Sequence, residues 1–320
     1  MQALEVHNLS KAFGSFKAVD NLSFTIPEGV VFGLLGRNGA GKTTTIRMLM
    51  NIYEPDSGEI RFRGARVGQQ FRDKVGYLPE ERGLNTRLRV LDTLLYLAEL
   101  KGATGPKVKE KAMHYLERFE LADRAKNKVQ ELSKGNQQKI QFISTILHEP
   151  DFIILDEPFS GLDPVNTNLF KDIILELKQQ GRAIIFSTHL MDFAEKMCDR
   201  IALVDHGKLL LSGALAEVKK RFSSRNVILH YDGNIGFLQH RPYVVKVQDF
   251  GNYSGVEVRD RDDIQQLLSD LVYAGVKIRK FDANDISLHE IFLSQTGPAS
   301  KATPTTTTAS INTETTGASA

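Results

Sequence analysis

The stretch Gly36 to Thr44, read Gly-Arg-Asn-Gly-Ala-Gly-Lys-Thr-Thr, has the residue types needed to grip phosphate. It fits the G-x-x-x-x-G-K-[ST] pattern through Gly36, Gly41, Lys42 and Thr43. Gly36, Gly39 and Gly41 lack a Cβ, so the chain can curl with its N–H groups pointing inward. Arg37, Asn38 and Ala40 complete the loop, and Thr44 follows into a helix whose positive end faces the same anion. Lys42 supplies a full positive charge for the β- and γ-phosphates. Thr43 offers a hydroxyl to Mg²⁺, which takes a few protein oxygens beside phosphate and water. A glycine-rich turn could match by chance. The apolar run Val30 to Leu35 before it and the helical spacing of Ile46, Met48, Leu49 and Met50 after it supply the strand–loop–helix setting that the chemistry requires.

Further groups of the right chemistry lie downstream. Phe152 to Leu155 is an apolar strand that ends in Asp156 and Glu157. Asp156 at the strand tip could hold Mg²⁺, and Glu157 could act as general base for a water attacking the γ-phosphate. An acidic turn capping a strand is the plain alternative, weakened by a phosphate loop on a neighbouring strand. Ser187-Thr188-His189 ends the next strand and puts an imidazole at the same sheet edge, although a lone histidine is more often structural. Leu132-Ser133-Lys134-Gly135-Asn136-Gln137-Gln138 opens a helix with a small hydroxyl residue and a glycine. That is a second anion site, or an ordinary serine N-cap.

These groups need elements to position them. Strands are expected at Leu4 to Phe13, Leu22 to Ile26, Glu59 to Arg63 and Val75 to Leu78. From Val90 the period changes to that of helices, giving Val90 to Leu100, Val108 to Leu121 and Gln130 to Leu147. Asp151 to Asp156 and Ala183 to Phe186 read as strands buried on both faces, with a helix from Pro164 to Gln180 between them. Leu190 to Met197 is a short helix, and His206-Gly207 signals a hairpin. This alternation predicts an α/β fold with a mostly parallel sheet. Residues 223–297 read as a small α+β appendage whose last helix is Leu288 to Leu293. Residues 298–320 are Thr, Ser and Ala with few core-forming side chains, and are expected to be disordered.

Composition narrows the class. The 320 residues are 41% hydrophobic and 25% charged, ordinary for a soluble protein with a core. A net charge of +2 does not suggest a nucleic-acid partner. One cysteine, Cys198, forbids an internal disulfide and suggests a reducing compartment. The N-terminus lacks the regions of a signal peptide, and no apolar run approaches a membrane span. Any membrane-spanning part would be another chain.

In combination, Met1 to Arg221 resembles an ATP-binding cassette (ABC) ATPase, the motor subunit of ABC transporters. The phosphate loop, Glu80 region, Ser133 signature, Asp156-Glu157 strand, Ser160-Gly161-Leu162-Asp163 loop and His189 occur in family order. The resemblance implies an ABC domain over residues 1–222, with a helical signature subdomain at about 85–147 and a mixed-sheet core. It implies ATP and Mg²⁺ as cofactors, Thr43 and Asp156 beside the metal, and Lys42, Glu157 and His189 in catalysis. Phe13 matches the aromatic that stacks on adenine, or is a packing residue. Ser133 and Gly135 match residues that contact nucleotide on a second ABC subunit, which implies a dimer of cassettes, taken here as a homodimer. Asp163 would couple the two sites. The signature departs from Leu-Ser-Gly-Gly-Gln at Lys134, which adds positive charge or points to solvent, and at Asn136. Glu80 stands where the family has glutamine, and either keeps a metal-linked role or is solvated while Glu81 or another group serves.

The Leu78-Pro79-Glu80-Glu81-Arg82-Gly83-Leu84 wording, the signature and the appendage ending Leu288-His289-Glu290-Ile291-Phe292-Leu293 are similar to the branch that works with ABC-2-type permeases, including sodium- and drug-efflux-like exporters. The resemblance implies a separate integral-membrane permease as partner, a place on the cytoplasmic face of the plasma membrane, and no nucleic acid. The alternative is a soluble ABC ATPase acting on ribosomes or DNA. One phosphate loop, the absence of a long heptad insertion and the balanced charge count against it.

Overall fold

A run of apolar residues with no polar partner positions has to lie between two cores, and the computed structural model shows how. It describes residues 2–296 apart from 82, 223, 224, 250, 252 and 284–286. In chain order the elements are β1 (Gln2–Phe13), β2 (Phe16–Pro27), β3 (Val31–Leu35), α1 (Lys42–Leu49), β4 (Ser57–Phe62), β5 (Ala65–Arg66), α2 (Gln69–Lys74), β6 (Val75–Leu78), α3 (Val90–Glu99), α4 (Pro106–Arg118), α5 (Lys134–Ile146), β7 (Phe152–Asp156), α6 (Pro164–Gln179), β8 (Ala183–Thr188), α7 (Met191–Met197), β9 (Arg200–Asp205), β10 (Lys208–Ala214), α8 (Leu215–Phe222), β11 (Asn226–Asp232), β12 (Val244–Asp249), β13 (Ser254–Val258), α9 (Asp263–Tyr273), β14 (Lys277–Asp282) and α10 (Leu288–Thr296).

A six-stranded sheet runs β10-β9-β3-β8-β7-β6. All its pairs are parallel except β9–β10, an antiparallel hairpin at one edge. Successive residues of a strand face opposite sides. Val31 and Leu35 of β3, Ile153 and Leu155 of β7, and Ile184 and Phe186 of β8 therefore enter one core, beneath the helices. Phe32 and Leu34, Phe152 and Ile154, and Ala183 and Ile185 enter the other, against α1 and a four-stranded antiparallel sheet of order β2-β1-β4-β5. Both faces are covered, so alternation disappears and only continuous apolar runs remain.

The antiparallel sheet was only partly visible in the sequence. β2 begins at Phe16 rather than near Leu22, because it pairs with β1 along its whole length through several bulges that break the period of two. Short α2 and β5, and α8 directly after β10, lack the spacing or caps that announce an element. Residues 226–282 contain a third sheet, β12-β13-β11-β14, with its own core of Val227, Leu229, Val256, Val258, Leu267 and Leu271. The helix that the sequence groups with this appendage, α10, packs elsewhere: Leu288, Ile291 and Phe292 join the helix-covered core of the large sheet. Its apolar residues find an unfilled face between α7 and α8. The tail expected to be disordered, residues 298–320, lies outside the described residues.

His148 leads out of α5 with Nε2 3.3 Å from the Val75 carbonyl oxygen. Burial, with Lys101 nearby, lowers its pKa to about 4 from an ordinary 6.5. A depressed histidine contributes stability that is full above its ordinary value and lost as pH falls toward the lowered one. Between pH 7 and 4.5 the wild type should lose about 2 kcal/mol more than a His148→Gln protein, after discounting for partial exposure. Urea melts of both proteins at the two pH values measure this.

Candidate functional site

Parallel strands end at the same edge of a sheet, so the C-termini of β3, β8, β7 and β6 deliver their following residues to one place. These are the phosphate loop, His189, Asp156-Glu157 and Glu80. The resulting cleft has a volume of about 360 Å³ and is lined by Phe16, Ala18, Asn38, Gly39, Gly41, Lys42, Thr43, Thr44, Glu80 and Glu157.

The loop is held by backbone on every side. The Gly36 N–H donates to the Thr188 carbonyl at 3.3 Å, and the Gly207 N–H at the β9–β10 turn donates to the Ala40 carbonyl at 3.0 Å. Gly41 has φ 100°, and a Cβ there would lie 2.4 Å from the Ala18 carbonyl oxygen, so only glycine fits. No side chain caps the N-terminus of α1, which leaves its first N–H groups for a ligand. Arg37, Asn38 and Gly39 are exposed at the rim, while Ala40 is buried beneath them.

Lys42 is 5% exposed. Its Nζ donates to the carbonyls of Gly36 at 2.9 Å and Arg37 at 3.1 Å, and lies 3.3 Å from Glu157 Oε1. His189 Nδ1 is 3.1 Å from the same oxygen. Lysine, glutamate and histidine thus form one chain of charge and hydrogen bonding. Glu157 sits just past β7 with φ 48°, a left-handed conformation that is costly for a residue with a Cβ and that folds its carboxylate back over the loop.

Asp156 is fully buried. Burial raises its pKa, opposed by hydrogen bonds from Ser187 and Thr43. The Ser187 hydroxyl donates to Asp156 Oδ1 at 2.5 Å, and its oxygen accepts the Glu157 N–H at 3.0 Å. Oδ2 of Asp156 has no hydrogen-bond partner. Thr43 Oγ1 is 3.3 Å from Asp156 Oδ1 and 3.4 Å from Glu80 Oε2. Among the described residues no cluster of three His, Cys, Asp or Glu could hold a metal. Two carboxylates and a hydroxyl, with one buried oxygen unpaired, nevertheless fit Mg²⁺, which fills its shell from phosphate and water.

Four sequence-derived candidates stand apart from the cleft: Phe13, Ser133, Gly135 and Asp163. Phe13 is absent from the lining; it makes an edge contact with Tyr53 at 5.5 Å, while Phe16, opposite it across the β1–β2 turn, lines the cleft. Ser133 caps α5, its Oγ accepting the Asn136 N–H at 3.2 Å, and is exposed, while Gly135 is half-buried beside Gly161. Asp163 caps α6 by accepting the Asn166 N–H at 2.9 Å, which lowers its pKa. Ser187 and Phe16 were missed as site residues. Ser187 could be singled out only by knowing that β8 sets it opposite Asp156. Phe16 could have been suspected as a second aromatic around the Gly14 turn.

A family model for ABC transporters matches residues 19–160, and one for the C-terminal domain of DrrA1-3-like ATP-binding proteins matches residues 213–296. The chain is 43% identical over 294 residues to an uncharacterised ABC transporter ATP-binding protein, YhaQ, of Bacillus subtilis, covering 92% of this chain and 98% of that one. It is 32% identical over 300 residues to the Nod factor export ATP-binding protein I of a Rhizobium species, covering 92% and 97%. A solved ATP-binding subunit of an ABC transporter superposes with a TM-score of 0.65 at 30% identity, covering 69% of this chain and 93% of that one.

Removing the Ser187 hydroxyl takes the partner from the buried Glu157 N–H and leaves Asp156 Oδ1 with only the longer contact from Thr43. Ser187→Ala should cost about 1–3 kcal/mol, read as a lowered denaturation midpoint with unchanged slope.

Proposed function

The chain belongs to the ABC transporter ATP-binding proteins, an ATPase family, and from that premise we propose that it drives an exporter by closing and reopening a pair of cassettes. The observation that carries the reading is the Lys42–Glu157–His189 chain at the mouth of the phosphate loop.

The Lys42–Glu157 ion pair has a direct consequence. A triphosphate entering the loop brings several negative charges to Lys42, which exchanges the Glu157 carboxylate for phosphate oxygens. Glu157 is then released to accept a proton from water as that water's oxygen attacks the γ-phosphorus and the bond to the bridging oxygen of ADP breaks. His189, on the other side of Glu157, orients the carboxylate and faces the γ-phosphate. The N–H groups at the start of α1 hold the charge that develops. Thr43, Asp156 and Glu80 would hold Mg²⁺, which when bound neutralises phosphate charge. Phe16, which lines the cleft, offers a ring face on which the base can stack, with Phe13 opposite it across the β1–β2 turn.

Ser133, Gly135 and Asp163 lie outside this chain's own cleft. That arrangement fits a second copy whose Ser133 helix tip closes the nucleotide from across an interface, with Asp163 beside it. No helix among the described residues is long and apolar enough to cross a membrane. In this reading a separate permease is the partner, with this chain held on its cytoplasmic face, as subunits of the kind named among its relatives require. A relative that exports Nod factor and the DrrA1-3-like C-terminal segment favour export.

Purified chain should hydrolyse ATP, and chelating Mg²⁺ should stop it. Glu157→Gln should lower kcat about 10²–10⁴-fold, as expected for loss of a general base. Glu80→Gln should retain most of the rate, since an amide oxygen can still face the metal. Lys42→Ala and Ser133→Arg proteins, alone and mixed, test the shared site. Full activity in every case would refute it, and co-purification of the wild type with a polytopic protein tests the permease.

A further inference from the structure

α10, the last helix among the described residues, reaches the phosphate loop, and no role assigned above uses that contact. α10 ends the segment matched to the DrrA1-3-like C-terminal domain, yet it packs on α7 and α8. The Leu288 N–H donates to Glu195 Oε2 at 2.9 Å, and Glu195 also pairs with Lys219 of α8. Leu288 and Ile291 are fully buried, which fixes the helix in rotation. From this seat Phe292, 5% exposed, turns its ring toward Arg37, whose guanidinium carbon lies 5.3 Å from the ring centroid. Beside the pair is a cavity of about 370 Å³ lined by Gly36, Arg37, His189, Met191, His289 and Phe292.

Arg37 is otherwise an exposed residue on a glycine-rich loop. Its carbonyl is one of the two that orient Lys42. A guanidinium over an aromatic face is attracted to the ring, and holding it there removes freedom from a long side chain. The peptide that aims Lys42 is steadied by the same contact before any ligand arrives.

We propose that Phe292 is a positioning residue for ATP hydrolysis: it holds Arg37, and through it the phosphate loop, in the binding geometry, so that the last helix of the C-terminal domain is part of the nucleotide site. This inference rests on the ATPase reading. Its signature is a split between KM and kcat, because a preorganised loop lowers the cost of binding while Glu157 and the water are untouched.

Steady-state hydrolysis by the full chain tests it. Phe292→Leu keeps an apolar side chain in the core and removes the ring. KM for ATP should rise about three- to tenfold, the size of a partly desolvated cation–π contact, with kcat within about twofold of wild type. Phe292→Tyr keeps the ring and should match wild type in both constants. In an Arg37→Gln background, Phe292→Leu should leave KM unchanged, because its partner is gone. A Phe292→Leu protein with wild-type KM, a loss confined to kcat, or the same KM ratio in both backgrounds would each overturn the inference while the ATPase reading stands. A wild-type chain that hydrolyses no ATP would overturn both.

Discussion

Charge kept from water at the tips of buried strands is the constraint on which this structure depends. Lys42, Asp156 and Glu157 are each less than a tenth exposed. Such groups are tolerated only where partners stand ready on all sides. Lys42 meets two carbonyls and a carboxylate, and Asp156 meets two hydroxyls. No single element supplies such a set. It takes four parallel strands ending side by side, with the serine of one in register with the aspartate of the next.

The sheet can deliver these ends because both its faces are dry. Helices cover one side, and α1 with the antiparallel sheet covers the other. Strands fixed from both sides have little freedom to shift, so their tips are well placed to carry strained geometry. Glu157 shows this, with a left-handed backbone at the start of the turn after β7. The arrangement keeps the Glu157 carboxylate tied to lysine and histidine and leaves Asp156 with an unpaired oxygen.

Much of this was legible in the sequence, for physical reasons. The glycines and lysine of the loop are local requirements, and β3, β7 and β8 declared themselves by running apolar without alternation. The family membership followed from motifs in order. What stayed hidden depends on neighbours distant in sequence. Ser187 matters through register, Phe16 through the turn opposite Phe13, and α10 through a groove that two other helices make. β2 was shortened because bulges erase its period. The cap reading at Ser133 was real, and Ser133 does cap its helix; Asp163 caps α6 as well, a role its sequence reading did not include.

The turn joining β9 to β10 looks like a surface excursion, with His206 almost wholly in solvent. Its other residue is wedged inward. Gly207 donates to Ala40, accepts from the Asp20 N–H at 2.8 Å, and leaves no space for a Cβ near the Ala18 carbonyl. Both turn residues have positive φ, as a two-residue hairpin requires. Position 206 is therefore free to drift among residues that tolerate that backbone, while the count of residues in the turn is locked. Anyone grafting a tag or a reporter into this protein would find here a site that is visible from outside and yet wired to the glycine-rich loop.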